Sequence, residues 1–238
     1  MSRAIASRRV RRAALALGMA LAAACGAARL PAQSAAEPAL PSRLGAPARA
    51  AIQSLMDSVR AAGLPTGPLA AKAAEGALKG ADDARIVDAV RALARALGEA
   101  RAALGPTADP SVLDAGASAL RAGVTPATLR SLGNAGATPA GAPALAGALV
   151  TLVDFVAKGV PAGVASQSIE QLLRLGAPES RFVTLRSQVE ADIRDGQSPE
   201  AAVATRVRTS VQQLGAPAAP GSAHPPNPPS PDPSTPEQ

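Results

Sequence analysis

Aromatic side chains are nearly missing from this sequence: its 238 residues include no Trp, no Tyr and only two Phe, Phe155 and Phe182. A surface that stacks on bases, sugars or a flavin ring has almost nothing to be built from. Histidine and cysteine are as scarce. The one His, His224, falls among C-terminal prolines, and the one Cys, Cys25, falls near the N-terminus. The long stretch between them has no imidazole and no thiol. That excludes the commonest zinc sites and the nucleophilic triads that need either group. With one cysteine no disulfide can form within the chain, so packing alone has to hold it. Strand-like alternation is missing too, and no sheet is expected.

The net charge of +6 misleads until it is placed along the chain. Arg3, Arg8, Arg9, Arg11 and Arg12 precede every acidic residue, and from Cys25 onward 19 basic residues face 18 acidic ones. Counterion release on phosphate has no source in so balanced a stretch, and nucleic acid is excluded as the expected partner. The early arginines belong to an export signal. Residues 1–24 pass from an arginine-rich start through an apolar run, Ala13 to Ala24, into small residues suited to cleavage. The run is shorter than the roughly 20 residues that a membrane-spanning helix needs. Leu21-Ala22-Ala23-Ala24-Cys25-Gly26 resembles a bacterial lipobox, although Ala22 stands where lipoboxes usually carry Leu. Cys25 is therefore the candidate lipidation residue, and a lipid on it is the one membrane attachment expected. The rival is ordinary cleavage at a small-x-small site as late as Ser34, which leaves a free periplasmic or secreted chain.

Composition divides the remainder. Residues 25–43 read as a linker, 44–132 as an N-terminal helical group, 133–142 as a flexible break, 143–214 as a C-terminal helical group and 215–238 as a Pro-rich disordered tail. Nine prolines lie between Pro217 and Pro236, which favours polyproline-like or disordered chain. The break holds Gly133, Gly136, Pro139 and Gly141, with Pro143 directly after it.

Alanine makes up a quarter of the chain, and glycine punctuates it. Gly63-Leu64-Pro65, Gly80-Ala81-Asp82, Gly123-Val124-Thr125-Pro126, Gly159-Val160-Pro161, Gly176-Ala177-Pro178 and Gly196-Gln197-Ser198-Pro199 share one grammar. A glycine that ends one helix is followed by a proline or a capping oxygen that starts the next. Asp82, Asp109, Thr125 and Ser198 are the expected N-caps. Between these strings, Ile86, Val90, Leu93 and Leu97, like Phe182, Leu185, Val189 and Ile193, repeat at steps of three and four. Each set is one face of a helix. The expectation is an all-α fold of eight or nine helices, at about 47–62, 68–79, 82–104, 110–122, 126–132, 143–158, 161–174, 178–195 and 199–213. They would pack as an irregular bundle or a short array of antiparallel hairpins.

Candidate chemistry is thin. Asp82, Asp83 and Asp88 crowd one helix start, where acids cap free N–H groups and complement the dipole, with Arg85 and Arg91 beside them. Glu190, Asp192 and Asp195 gather at a helix C-terminus, where acids oppose the dipole and Arg186 and Arg194 stand ready to offset them. No glycine-kinked oxygen loop accompanies these acids, as calcium sites usually require. Arg101, Arg121 and Arg130 are spread over different helices and read as a solvated surface. Ala144 to Val153 reads as a buried helix. No catalytic, cofactor or metal residue is expected.

The block Gly63-Leu64-Pro65-Thr66-Gly67-Pro68-Leu69, with Lys72, Glu75-Gly76, Lys79-Gly80, Ile86 and Ala89-Val90, resembles uncharacterised exported alanine-rich helical proteins of high-GC bacteria over about 40 residues. That resemblance implies no activity and no site. Taken together, these readings lead to an exported, non-enzymatic interaction or scaffold protein of the bacterial envelope, with a protein partner there. The alternatives are a hydrolase or lyase working with carboxylates alone, and a periplasmic chaperone or carrier with an apolar groove.

Overall fold

The computed structural model describes residues 39–106, 108–138 and 140–215. The leader, Cys25, Ser34 and the Pro-rich segment with His224 lie outside them. Among the described residues are nine helices and no strand: α1 (Ala46–Ala61), α2 (Gly67–Leu78), α3 (Asp83–Leu104), α4 (Pro110–Arg121), α5 (Pro126–Ala135), α6 (Gly141–Ala157), α7 (Ala162–Arg174), α8 (Glu179–Arg194) and α9 (Pro199–Gly215).

The helix ends form as the glycine strings imply. At Gly123, φ is 96°, a conformation that costs a side chain dearly and glycine little. The Gly123 amide donates to Leu120 O at 3.1 Å and the Val124 amide to Ala119 O at 3.0 Å, the paired bonds of a Schellman end. The same two bonds recur at Gly63, Gly80, Gly159, Gly176 and Gly196. The four N-caps are in place. Asp82 accepts from the Arg85 amide, Asp109 from Ser111, Thr125 from Thr128 and Ser198 from Ala201.

The helices stack as two rows. α1, α3, α5, α7 and α9 pack each on the next, while α4 packs on α6 and α6 on α8. α2 packs on α3, and rungs such as α3 on α4, α6 on α7 and α8 on α9 join the rows. Helices of the first row begin at 46, 83, 126, 162 and 199, so one hairpin recurs every 36 to 43 residues. Each hairpin buries its apolar face against its neighbours, as in repeat arrays. The core is one continuous cluster from Leu44 to Val207, in which Phe155 and Phe182 are fully buried.

That continuity revises the expected break. α5 runs through Gly133 to Ala135 and α6 starts at Gly141, so the stretch 133–142 contracts to a link of a few residues. Gly136 closes α5, its amide on Leu132 O at 2.8 Å. Contacts of α4 with α6 and α5 with α7 carry the packing across the link. Close approach depends on small residues here. A Cβ at Gly116 in α4 would come within 2.9 Å of Leu104 and 3.3 Å of Ala100 on α3.

Candidate functional site

A recess of about 450 Å3 crosses three helices of the second row. α4 contributes Ser111, Asp114, Ala115 and Ser118; α6 contributes Ala146, Gly147, Val150, Thr151 and Val153; α8 contributes Glu179, Val183 and Arg186. On each helix these positions recur at steps of three and four, so one stripe per helix faces the groove. The floor is aliphatic and small. Gly147 lets the rows of side chains close up: a Cβ there would lie 3.2 Å from Glu179 Cγ. Val150 and Val183 leave 43% and 48% of their surface exposed, two of only four large hydrophobic side chains exposed among the described residues.

The groove's charges are unspent. Asp114, Glu179 and Arg186 have no hydrogen bond or ion pair with any described residue. Partial burial pushes the Asp114 carboxyl above its ordinary range, because removing water penalises the charged form and no cation compensates. The Thr151 hydroxyl is occupied, donating to Gly147 O at 2.7 Å. A smaller recess of about 210 Å3 continues past Asp114 and Ser118 to Lys72, Glu75 and Arg121. Glu75 there accepts from Lys72 at 2.7 Å and Lys79 at 2.5 Å, which draws its pKa down to about 2.

The acid clusters singled out in the sequence come apart in space. Asp82 caps α3, Asp83 accepts from the Gly45 amide at 2.9 Å, and Asp88 pairs with Arg91 at 2.6 Å. Of the second cluster, Glu190 and Asp195 are exposed, whereas Asp192 is buried. The partner of Asp192 is not Arg186 or Arg194 but Arg206 of α9, which donates from Nε at 2.6 Å and Nη2 at 2.5 Å. This fork holds the Asp192 carboxyl below its ordinary range and the guanidinium above. Among the described residues no three His, Cys, Asp or Glu side chains gather as a metal site.

One further reading changes. Arg101 is no loose surface charge: its Nη1 donates to Ala62 O at 3.0 Å and Gly63 O at 3.1 Å, tying α3 to the end of α1. The run Ala144 to Val153 is helical and mostly buried, with Val150 exposed and Ala146, Gly147 and Val153 half-buried along the groove. No described helix is long and apolar enough to cross a membrane. Sequence reasoning missed Asp114, Glu179, Val150 and Val183. The only signal for the valines was their offset from the core stripes of α6 and α8, one position beyond Leu149 and Phe182. No known family model, curated protein or solved structure matches this chain.

Proposed function

We propose that this chain is an exported scaffold of the bacterial cell envelope that holds a protein segment in the groove across α4, α6 and α8. The observation that carries the reading is the groove itself: Val150 and Val183 stand exposed on its floor beside three charged side chains that no described residue neutralises. Exposed apolar surface rimmed by polar groups is a common mark of an interaction site. The poverty of imidazole, thiol and aromatic groups favours binding over catalysis. Export rests on the arginine-rich leader 1–24 and on Cys25 as the lipidation candidate. A photoreactive amino acid placed at Val183, and separately at Gln171 on α7, tests the reading in the envelope of a bacterial host. Adducts from Val183 and none from Gln171 are expected. No adduct from Val183, or equal adducts from both, would overturn it. The mass of the N-terminal peptide in membrane and aqueous fractions tests export and the fate of Cys25.

A second reading assigns chemistry to the same groove, and Asp114 favours it: a carboxyl with raised pKa facing that cavity can serve as a general acid. Hydrolysis of ester or glycoside substrates that vanishes in Asp114→Asn, with the fold intact, would establish it.

A further inference from the structure

We infer that the groove-bearing face docks a second copy of this chain, turned end for end across a two-fold axis at α8; this rests on that face being a binding surface. The order of charges along the two helices that flank α6 carries the inference. On α8, Glu179 and Arg186 are seven positions apart, with exposed Val183 between them. On α4, Asp114 and Arg121 are also seven apart and in the same order, and one recess reaches both. Seven positions are two helical turns, so each acid shares a face with its base. None of the four is paired with a described residue.

A copy turned end for end meets this pattern with its complement. Glu179 stands four positions before Val183 and Arg186 three after it. An antiparallel α8 crossing at Val183 therefore brings Glu179 opposite Arg186 of the second copy, offset by about 1.5 Å, the rise of one residue. The two-fold axis repeats the pair. α4 follows the same rule, since reversing it sets Asp114 toward the Arg121 end of its counterpart. A parallel copy would set acid on acid and base on base, which costs affinity. Glu190, one turn beyond Arg186, would reach the link 175–178 of the other copy, which contains no acidic residue. Self-complementarity of this kind is what an isologous interface demands, and a foreign partner has no need of it.

The surface between the charges is suited to close contact. Val183 lies at the crossing point, and the hydroxyls beside it are turned back on their own helix. Thr184 Oγ1 donates to Ser180 O at 3.0 Å and Ser187 Oγ to Val183 O at 3.3 Å. Neither leaves a donor unmet when water is expelled. Antiparallel helices also set their dipoles in opposition, which favours the same orientation.

Sedimentation of the full chain carrying Cys25→Ser, which removes lipid and disulfide as links between copies, tests this. A reversible monomer–dimer equilibrium is expected. Glu179→Arg and Arg186→Glu each place like charges at both symmetric contacts and should weaken the dimer about tenfold or more. Glu200→Arg, an equal change of charge on α9, should leave it within about twofold, as for charges away from the contact. Mixing the two weakened variants is the sharper step. Each supplies the charge that the other has lost, so the mixture should form a heterodimer of nearly parental affinity, whereas damage to folding would not be rescued by mixing. A monomer at every concentration up to about 1 mM overturns the inference. A dimer indifferent to both reversals, or a mixture no tighter than its parts, overturns it as well. Photoadducts from Val183 separate this from the groove reading. The expected adduct has twice the mass of the chain; adducts only with another protein, from a chain that sediments as a monomer, leave the groove a binding site and remove the second copy from it.

Discussion

The two rows of the array are built alike and finished differently. Each hairpin ends its helices with the same glycine geometry and contributes aliphatic residues to one core. On the row of α1, α3, α5, α7 and α9, several outward charges are tied down. Asp88 holds Arg91, and Glu170 holds both Ser131 and Arg174 at 2.6 Å, while Arg101 fastens the end of α1. On the row of α4, α6 and α8, by contrast, Asp114, Glu179 and Arg186 are left without partners around exposed Val150 and Val183. Neither α1 nor α9 exposes a large hydrophobic side chain, but Leu78, which ends α2 in the first hairpin, does. Val150 and Val183 share one lateral face, whereas Leu78 at the end of α2 and Leu175 just after α7 are exposed elsewhere.

The largest test of this comparison asks whether the rows are separate at all. Phe182 belongs to the groove-bearing row, yet its ring is fully buried in the shared core. Phe182→Ala should destabilise by about 3–5 kcal/mol, the usual range for an aromatic lost from a core. Denaturant unfolding should stay a single transition with a lower midpoint. Two transitions would mean that the rows unfold independently and that the continuous core is not cooperative.

A smaller effect should come from the pair that joins the rows at the last hairpin. Asp192 on α8 and Arg206 on α9 are locked by two hydrogen bonds, and Asp192→Asn should lower Tm by several degrees at neutral pH. Because the folded-state pKa of Asp192 lies below its unfolded value, the pair's stabilisation is complete above the ordinary carboxylate range. It fades as pH falls through the depressed folded value. The difference in Tm between the parent and Asp192→Asn should therefore close below about pH 4. A difference that persists at lower pH would assign the loss to packing instead.

Asp192 also marks the boundary of what the sequence makes legible. Helix ends are local: Gly123-Val124-Thr125-Pro126 contains the left-handed residue, the cap and the proline within four positions, so the sequence locates nearly every boundary to within a residue or two. α5 is the exception, because Gly133 inside it reads as a breaker. In the fold that glycine is helical, and a Cβ on it would lie 2.9 Å from Leu104, so its small size serves packing with α3. The partner of Asp192 is fourteen residues away on another helix, and the nearer Arg186 and Arg194 are the natural choice until packing turns them elsewhere. The groove is less legible still. It exists because helices two apart in sequence lie side by side, and no spacing within a single helix announces that neighbour.

The smallest expected effect on stability carries the sharpest test of function. Val183 and Leu185 are two positions apart on α8, yet Leu185 is fully buried and Val183 is nearly half exposed. If the groove-bearing face is finished for binding, the two should respond oppositely. Leu185→Ala should cost about 2–5 kcal/mol, whereas the double change Val150→Ser with Val183→Ser should move stability by no more than about 0.5 kcal/mol per site, as for exposed positions generally. In binding the order reverses. With Val150→Ser and Val183→Ser in place, crosslinking from a photoreactive group at Val153, which also lines the groove, should fall severalfold while the melting curve overlays that of the parent. A melting curve shifted as far as that of Leu185→Ala would show that the valines hold the fold. The contrast between the rows would then be one of packing, with no binding face to explain.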